Sequence, residues 1–340
     1  MKALMYLGPK HMELQEVPDE APKKGEVRVA MRATGICGSD SHGYMGTTGR
    51  RTAPMIMGHE SAGEVVEIGE GVTKVKVGDR VVVFPVKYCG HCEYCEQHLE
   101  NICPNRTFLG VLSENGTLAD YINLEERLVL PMPEGMTYTQ GALVEPFAVA
   151  YRAVTQALPL EGKSVMVIGS GPIGLLVMMI ARHFGAKDLI VSDVIEKRLD
   201  LALQLGADYV VNGAKGDIGE QLKAHIGSDK VDITIEAVGI SPTAQQSINY
   251  LKNKGTAVWV GNSDQMININ MQEVVVRELI IKGNYIYTVK DFSDAMNLMV
   301  DGKFDLSPLV TAEIPLSEAN EMFQYLTSGP NEHIKVVVTW

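Results

Sequence analysis

The stretch VIGSGPIG, residues 167–174, sets Gly169, Gly171 and Gly174 at the spacing G-x-G-x-x-G. With 33 glycines in the chain a chance match is easy, so the setting decides. KSVMVIG before it reads as a buried parallel strand, PIGLLVMMIARHFG after it as a helix with Pro172 in its first turn and Gly185 at its end, and LIVSD as the next strand. A strand, a glycine turn and a helix leading to another strand make a βαβ unit, which requires a parallel sheet covered on both faces. The glycines remove side chains where backbone approaches a pyrophosphate and where helix lies against strand, and the helix N-terminus offers free amides and a positive dipole end. Asp193 ends the next strand, 19 residues after Gly174. There it accepts hydrogen bonds from the adenine ribose and repels a 2′-phosphate, so the spacing predicts NAD rather than NADP.

The same texture continues. IEKRLDLALQLG reads as a helix stopped at Gly206, and DYVVN, VDITIEA, GTAVWVG and IIKG read as strands with helical spacers. Strands alternating with helices predict a doubly wound sheet. Residues 1 to 146 differ: short runs such as EVRVAM, GEVVEIG and DRVVVFPV, punctuated by Gly and Pro, predict a partly open β-barrel-like domain. The end of the chain is mixed, with helices around DFSDAMNLMV and SEANEMFQYL and a last strand in HIKVVVT.

At 340 residues the chain is long enough for two domains. Its formal net charge of -12 repels nucleic acid and anionic membrane surfaces, which favours a small-molecule ligand. The apolar run GLLVMMIA is too short to span a bilayer, and the N-terminus lacks the apolar region of a secretory signal, so a cytoplasmic protein is expected. In such a reducing compartment the stretch CGHCEYCEQHLENIC, with Cys89, Cys92, Cys95 and Cys103, reads as a metal site rather than disulfides; the odd total of five cysteines points the same way. An iron–sulfur cluster is the rival, since Cys103-Pro104 echoes a bacterial ferredoxin run, but the last spacer here is longer.

The fifth cysteine stands apart in GICGSDSH, followed by MGHESAGEVVEIGEGV. Cys37, His59 and Glu60 are zinc-ligand types, and Glu145 lies among apolar residues in ALVEPFAVAY, where an unpaired carboxylate is expensive and a metal would offset that cost. Adjacent strand residues face opposite ways, so His59 and Glu60 can both ligate only if the chain turns between them.

The order and spacing of GICGSDSH, GHESAGEVVEIGEGV, VGDRV, the four-cysteine stretch, VEP and GSGPIG resemble the zinc-containing medium-chain dehydrogenase/reductase family, and VEP is similar to its sorbitol and polyol dehydrogenase branch. The resemblance implies a GroES-like catalytic domain over residues 1–146, completed by 288–340, and a Rossmann NAD-binding domain over 147–287. It implies a structural zinc on Cys89, Cys92, Cys95 and Cys103, a closed site without chemistry. It also implies a catalytic zinc on Cys37 and His59, with Glu60 or Glu145 as further ligand, and Asp40 orienting His59. Ser39 and His42 match the family's proton relay, and Gly169, Gly171, Pro172, Ile173, Gly174, Asp193 and Arg198 its cofactor contacts, with loops at Val238, at Val260, Gly261 and Asn262, and at Tyr285 reaching the nicotinamide. The implied reaction is reversible oxidation of a polyol or other secondary alcohol by NAD in a homodimer or homotetramer. A tyrosine, Tyr44 or Tyr287, is expected beside Glu145 in the substrate pocket. A threonine-type or simple secondary-alcohol dehydrogenase, or a non-catalytic nucleotide-binding relative, remain as alternatives.

Overall fold

The computed structural model describes residues 1–301, 304–329 and 331–340. These form two compact units, Met1–Glu145 with Thr288–Trp340, and Pro146–Tyr287.

In the second unit six parallel strands lie in the order Tyr209–Asn212, Asp188–Asp193, Ser164–Ile168, Val231–Glu236, Leu251–Trp259, Ile280–Gly283. The first strand in the chain is therefore central, with its successors running outward to both sides. That is the doubly wound order, with its switch point beside Ser164–Ile168. All five residues of that strand are buried, as expected for a strand covered on both faces. Helices Pro172–His183 and Glu196–Gln204 follow the first two strands; Gly185 (φ +82) and Gly206 (φ +106) reverse the chain just beyond them. The strand read from GTAVWVG starts earlier, at Leu251: Leu251 pairs with Val231, and an irregularity with Lys254 at φ +61 separates that pair from the rest of the ladder.

The first unit is built on the long strand Glu26–Ile36, which pairs antiparallel with Glu60–Ile68, Tyr121–Glu125 and Lys335–Thr339. Arg80–Val83, Val129–Pro131 and Val310–Pro315 extend this into a seven-stranded sheet. The last strand of the chain thus lies beside a strand almost 300 residues earlier, an antiparallel pairing with no short-range signal. Leu4, Tyr6, Met57, Leu118, Phe323 and Val338 are among the side chains of the core.

The glycine turn shows why three positions lack a side chain. Gly169 has φ +93; a Cβ on Gly171 would meet nothing within 4 Å, leaving backbone open to a ligand; a Cβ on Gly174 would stand 1.8 Å from the Gly169 carbonyl oxygen. Replacing Gly174 with Ala must separate helix from strand, and is expected to lower unfolding free energy by about 1–3 kcal/mol in urea denaturation. An unchanged denaturation midpoint would contradict this packing role.

Candidate functional site

GICGSDSH leaves its strand at Ile36 and enters a short helix, Gly38–Tyr44. Cys37 caps that helix: its Sγ accepts from Ser39 N at 3.4 Å, while Asp40 Oδ2 accepts from Cys37 N at 3.2 Å. This reciprocal pair fixes the thiol at the helix entrance and turns the buried Asp40 inward. Gly58, at φ +95, bends the chain just before the strand Glu60–Ile68, so His59 precedes the regular strand that begins at Glu60. That bend lets neighbouring residues serve one site, and ligand atoms of Cys37, His59 and Glu60 all lie within 4.8 Å of one another. Glu145, buried in the first turn of Val144–Ala157, stands outside this group of three.

The Glu60 carboxylate rests on Gly35, where a Cβ would lie 2.1 Å from its Oε2. Lys335, on the last strand, donates to both carboxylate oxygens at 2.8 and 2.7 Å and to the Ile36 carbonyl at 3.3 Å. Its residue is 3% exposed and Glu60 1%. Burial works against the Lys335 charge, but the negative groups Glu60, Cys37 and Glu145 outweigh it and hold its ammonium above the usual lysine range. On the other side Asp40 Oδ1 accepts from Arg51 Nη2 at 2.7 Å and faces His59 Nδ1 at 3.5 Å. Burial disfavours the Asp40 charge, yet His59 and Arg51 more than offset it and keep its carboxyl well below the carboxylate range. For His59 burial opposes a proton, and Asp40 overrides it, raising the ring above the usual histidine range. Phe108 packs edge-on against the His59 ring, with centroids 5.3 Å apart.

A dication fits this set. Cys37, His59 and Glu60 offer a thiol, an imidazole and a carboxylate that lie together, partly buried or buried, and this donor set suits zinc.

The four remaining cysteines converge in a lobe of short strands, Val86–Lys87, Thr107–Leu109 and Ser113–Glu114. Their sulfurs approach at 3.6, 3.8 and 3.9 Å. Thiolates on one tetrahedral zinc stand about 3.8 Å apart, given about 2.3 Å per bond. The His91 amide draws the Cys89 thiol down to about 6, whereas burial pushes Cys95 up to about 12; bound metal would deprotonate all four.

The expected nucleotide residues gather at the carboxyl ends of the parallel strands. Asp193 already accepts four hydrogen bonds: Oδ2 from Ser170 N and Oγ at 2.7 and 2.8 Å, Oδ1 from Val194 N and Ile195 N at 2.7 and 3.0 Å. It therefore ties the glycine turn to the end of the next strand. Arg198 is half-buried in the following helix, and Pro172 and Ile173 open the turn's own helix behind its N-cap, Gly171. Glu236, missed by sequence reasoning, is buried and accepts from Val238 N and Gly239 N at 2.9 and 2.8 Å; its carbonyl takes Val260 N and Gly261 N. One residue thus staples two loops, which press together until a Cβ on Gly261 would lie 2.2 Å from Gly239 N. Asn262 follows directly, and Tyr285 lies in the loop where Ile286 takes φ +41.

Ser39 and His42 are exposed on the short helix. Tyr44 corrects an expectation: its ring packs on Phe323, centroids 5.7 Å apart, and its hydroxyl donates to the Lys10 carbonyl, so it belongs to the core and not to a substrate pocket. Tyr287 is likewise fully buried. Lys335 and Arg51 also escaped sequence reasoning, since neither carries a local motif.

Removing Lys335 leaves Glu60 buried without its counter-charge. In metal-free protein, Lys335→Met is expected to cost about 3–5 kcal/mol in urea denaturation, and the double variant Lys335→Met with Glu60→Gln to recover more than half of that. A single-variant loss below about 1 kcal/mol would contradict a buried ion pair here.

Two family descriptions match the chain: Alcohol dehydrogenase GroES-like domain over residues 23–134 and Zinc-binding dehydrogenase over residues 172–301. The chain is 34% identical over 344 residues to a sorbitol dehydrogenase of Halalkalibacterium halodurans, covering 100% of this chain and 99% of that one. Two solved structures share the whole fold at 28% identity: an alcohol dehydrogenase of Escherichia coli CFT073 complexed with NADH, at TM-score 0.93, and a zinc-binding dehydrogenase of Sinorhizobium meliloti 1021 bound to NADP, at 0.91. Each alignment covers 100% of this chain and 99% of the other. With both family descriptions matched in order, a GroES-like unit and a Rossmann sheet, the chain belongs to the zinc-containing medium-chain dehydrogenase/reductase family, the alcohol oxidoreductases.

Proposed function

We propose that this protein is a zinc-dependent NAD oxidoreductase that interconverts a polyol, or another secondary alcohol, and its ketone. The observation that carries the reading is the convergence of Cys37, His59 and Glu60 on one point, with Glu60 cradled on Gly35. A zinc ion held there would supply Lewis acidity toward an alcohol oxygen, and a bound NAD would supply the hydride acceptor. Cys37 and His59 bind the metal, and Glu60, gripped by Lys335, is the nearer of the two candidate glutamates. Glu145 faces the same charges from outside the group of three and meets a hydroxyl of the substrate.

Ser39, exposed two residues after Cys37, receives the alcohol proton and passes it by way of the nicotinamide ribose to His42 on the same short helix. Gly171 leaves backbone open for the pyrophosphate, the twelve-residue helix behind it offers its amides, and Asp193 favours NAD by opposing a 2′-phosphate. The loops stapled by Glu236, together with Tyr285, hold the nicotinamide end. The four-cysteine lobe binds a second zinc that orders the lobe and takes no part in the chemistry.

No helix among the described residues is long and apolar enough to cross a membrane. Five free thiols suit a reducing compartment, the cytoplasm. Self-association is proposed through the outer strand Ile280–Gly283 and its neighbouring helix Met271–Val276, which together expose Met271, Val275, Val276 and Ile280.

NADH formation is to be followed with sorbitol, xylitol, galactitol, butanediol, threonine and simple secondary alcohols, using native, chelated and zinc-restored protein and either NAD or NADP. The expected result is turnover on a polyol that vanishes on chelation, returns with zinc and is faster with NAD. Turnover that survives complete removal of zinc, or a clear NADP preference, would contradict the assignment of Cys37, His59 and Glu60 or that of Asp193.

A further inference from the structure

Arg51 is a buried cation to which the mechanism above gives no role. Its side chain is 1% exposed, Nη2 donates to Asp40 Oδ1 at 2.7 Å and reaches Ser39 Oγ at 3.4 Å, and Nε and Nη1 are buried without a hydrogen-bond partner. The guanidinium lies against Gly43, where a Cβ would stand 2.2, 2.5 and 2.6 Å from Cδ, Nε and Nη1. Only glycine at that position lets the arginine sit there. Burying a guanidinium with two nitrogens unpaired is unfavourable, so its compensation has to come through the one strong contact it makes, with Asp40.

Asp40 holds two candidate ligands at once. Its Oδ2 accepts the amide of Cys37 at 3.2 Å, and its Oδ1 faces His59 Nδ1 at 3.5 Å. The orientation of this one carboxylate therefore sets both the entrance of the helix that carries the thiol and the plane of the imidazole. Arg51 donates to the same Oδ1 and so helps to decide where that oxygen stands.

We propose that Arg51, seated on Gly43, is a positioning residue for the metal centre: by fixing Asp40 it aligns Cys37 and His59 and so sets how tightly zinc is held. The inference rests on the reading that Cys37, His59 and Glu60 bind zinc. A purely structural role, tying the helix Gly38–Tyr44 to the loop after it, makes a different forecast at Gly43. That residue is helical and does not need a positive φ, so the cost of Gly43→Ala is the displaced guanidinium: a purely structural role predicts lower stability with zinc affinity at the Cys37 site unchanged. If Arg51 positions the metal centre, the added methyl displaces the arginine and weakens zinc binding although Arg51 is still present.

The test is zinc release to a competing chelator from the whole protein and from R51M, R51K, G43A and C37S, with visible spectra of the cobalt-substituted forms. Wild type should release zinc in two steps, one of them missing in C37S. R51M and G43A should each weaken the Cys37 site by about 10- to 100-fold, the range for outer-sphere partners, and alter its cobalt bands. The four-cysteine site should be unchanged, and R51K should recover part of the loss. Wild-type affinity and cobalt bands in both R51M and G43A, or equal weakening of the two sites, would overturn the proposal while leaving the zinc reading intact. A wild type with a single step that C37S does not alter would remove the zinc reading, and the proposal with it.

Discussion

A carboxylate or thiolate taken out of water has to be met by positive charge, and the first unit of this protein is organised around that requirement. Asp40, Glu60 and Glu145 are buried close to Cys37. Two cations are buried with them: Arg51 on Asp40, Lys335 on Glu60. Effective desolvation penalties of several kcal/mol per ion would make such a cluster untenable if it were not nearly neutral. The donors that converge beside them, a thiol, an imidazole and a carboxylate, are those that bind zinc, whose charge would add to that compensation. The same constraint explains features of the fold that otherwise look arbitrary. Gly35 is bare because a carboxylate lies on it, Gly43 because a guanidinium does, and the last strand returns beside Glu26–Ile36 in a register that brings Lys335 to Glu60.

Glycines serve the second unit differently. Gly169 supplies a left-handed turn, Gly171 an open approach, and Gly174 a close contact with the turn's own carbonyl, that of Gly169. Around them two acidic residues accept from backbone amides: Asp193 holds the glycine turn with its carboxylate, and Glu236 holds one loop with its carboxylate and a second with its backbone carbonyl. A turn held in place before ligand arrives loses less entropy on binding, so these two residues favour affinity as well as fold.

Much of this was legible in the sequence because it is local. G-x-G-x-x-G between a strand and a helix, with Asp193 at the next strand end, follows from spacing alone, and so does the grouping of four cysteines within fifteen residues. Cys37 and His59 were recognisable as ligand types, and the doubt about Glu60 was partly a question of backbone: next to the bend at Gly58 its carboxylate comes within 4.8 Å of the ligand atoms of Cys37 and His59, a feature that adjacent positions in GHE cannot display. Lys335 was not legible, since HIKVVVT reads as an ordinary strand and its partner is 275 residues away. Arg51 follows Arg50 in a polar loop, where two arginines read as surface. Tyr44 misled in the opposite sense: it lies next to the residues that carry the chemistry, but helical geometry turns its ring into the core against Phe323. Proximity in sequence indicated the site; the direction of each side chain came only with the fold.

The five cysteines divide between two candidate metal centres of different chemistry, four thiols in one and a single thiol in the other. Zinc-edge X-ray absorption on the fully loaded protein tests it most directly, because it counts sulfur neighbours. Two occupied sites predict an average of about 2.5 sulfurs per zinc, with the remaining neighbours nitrogen and oxygen at shorter distance. About four sulfurs per zinc, with no nitrogen or oxygen shell, would mean that metal fills the cysteine lobe alone and that Cys37, His59 and Glu60 hold none.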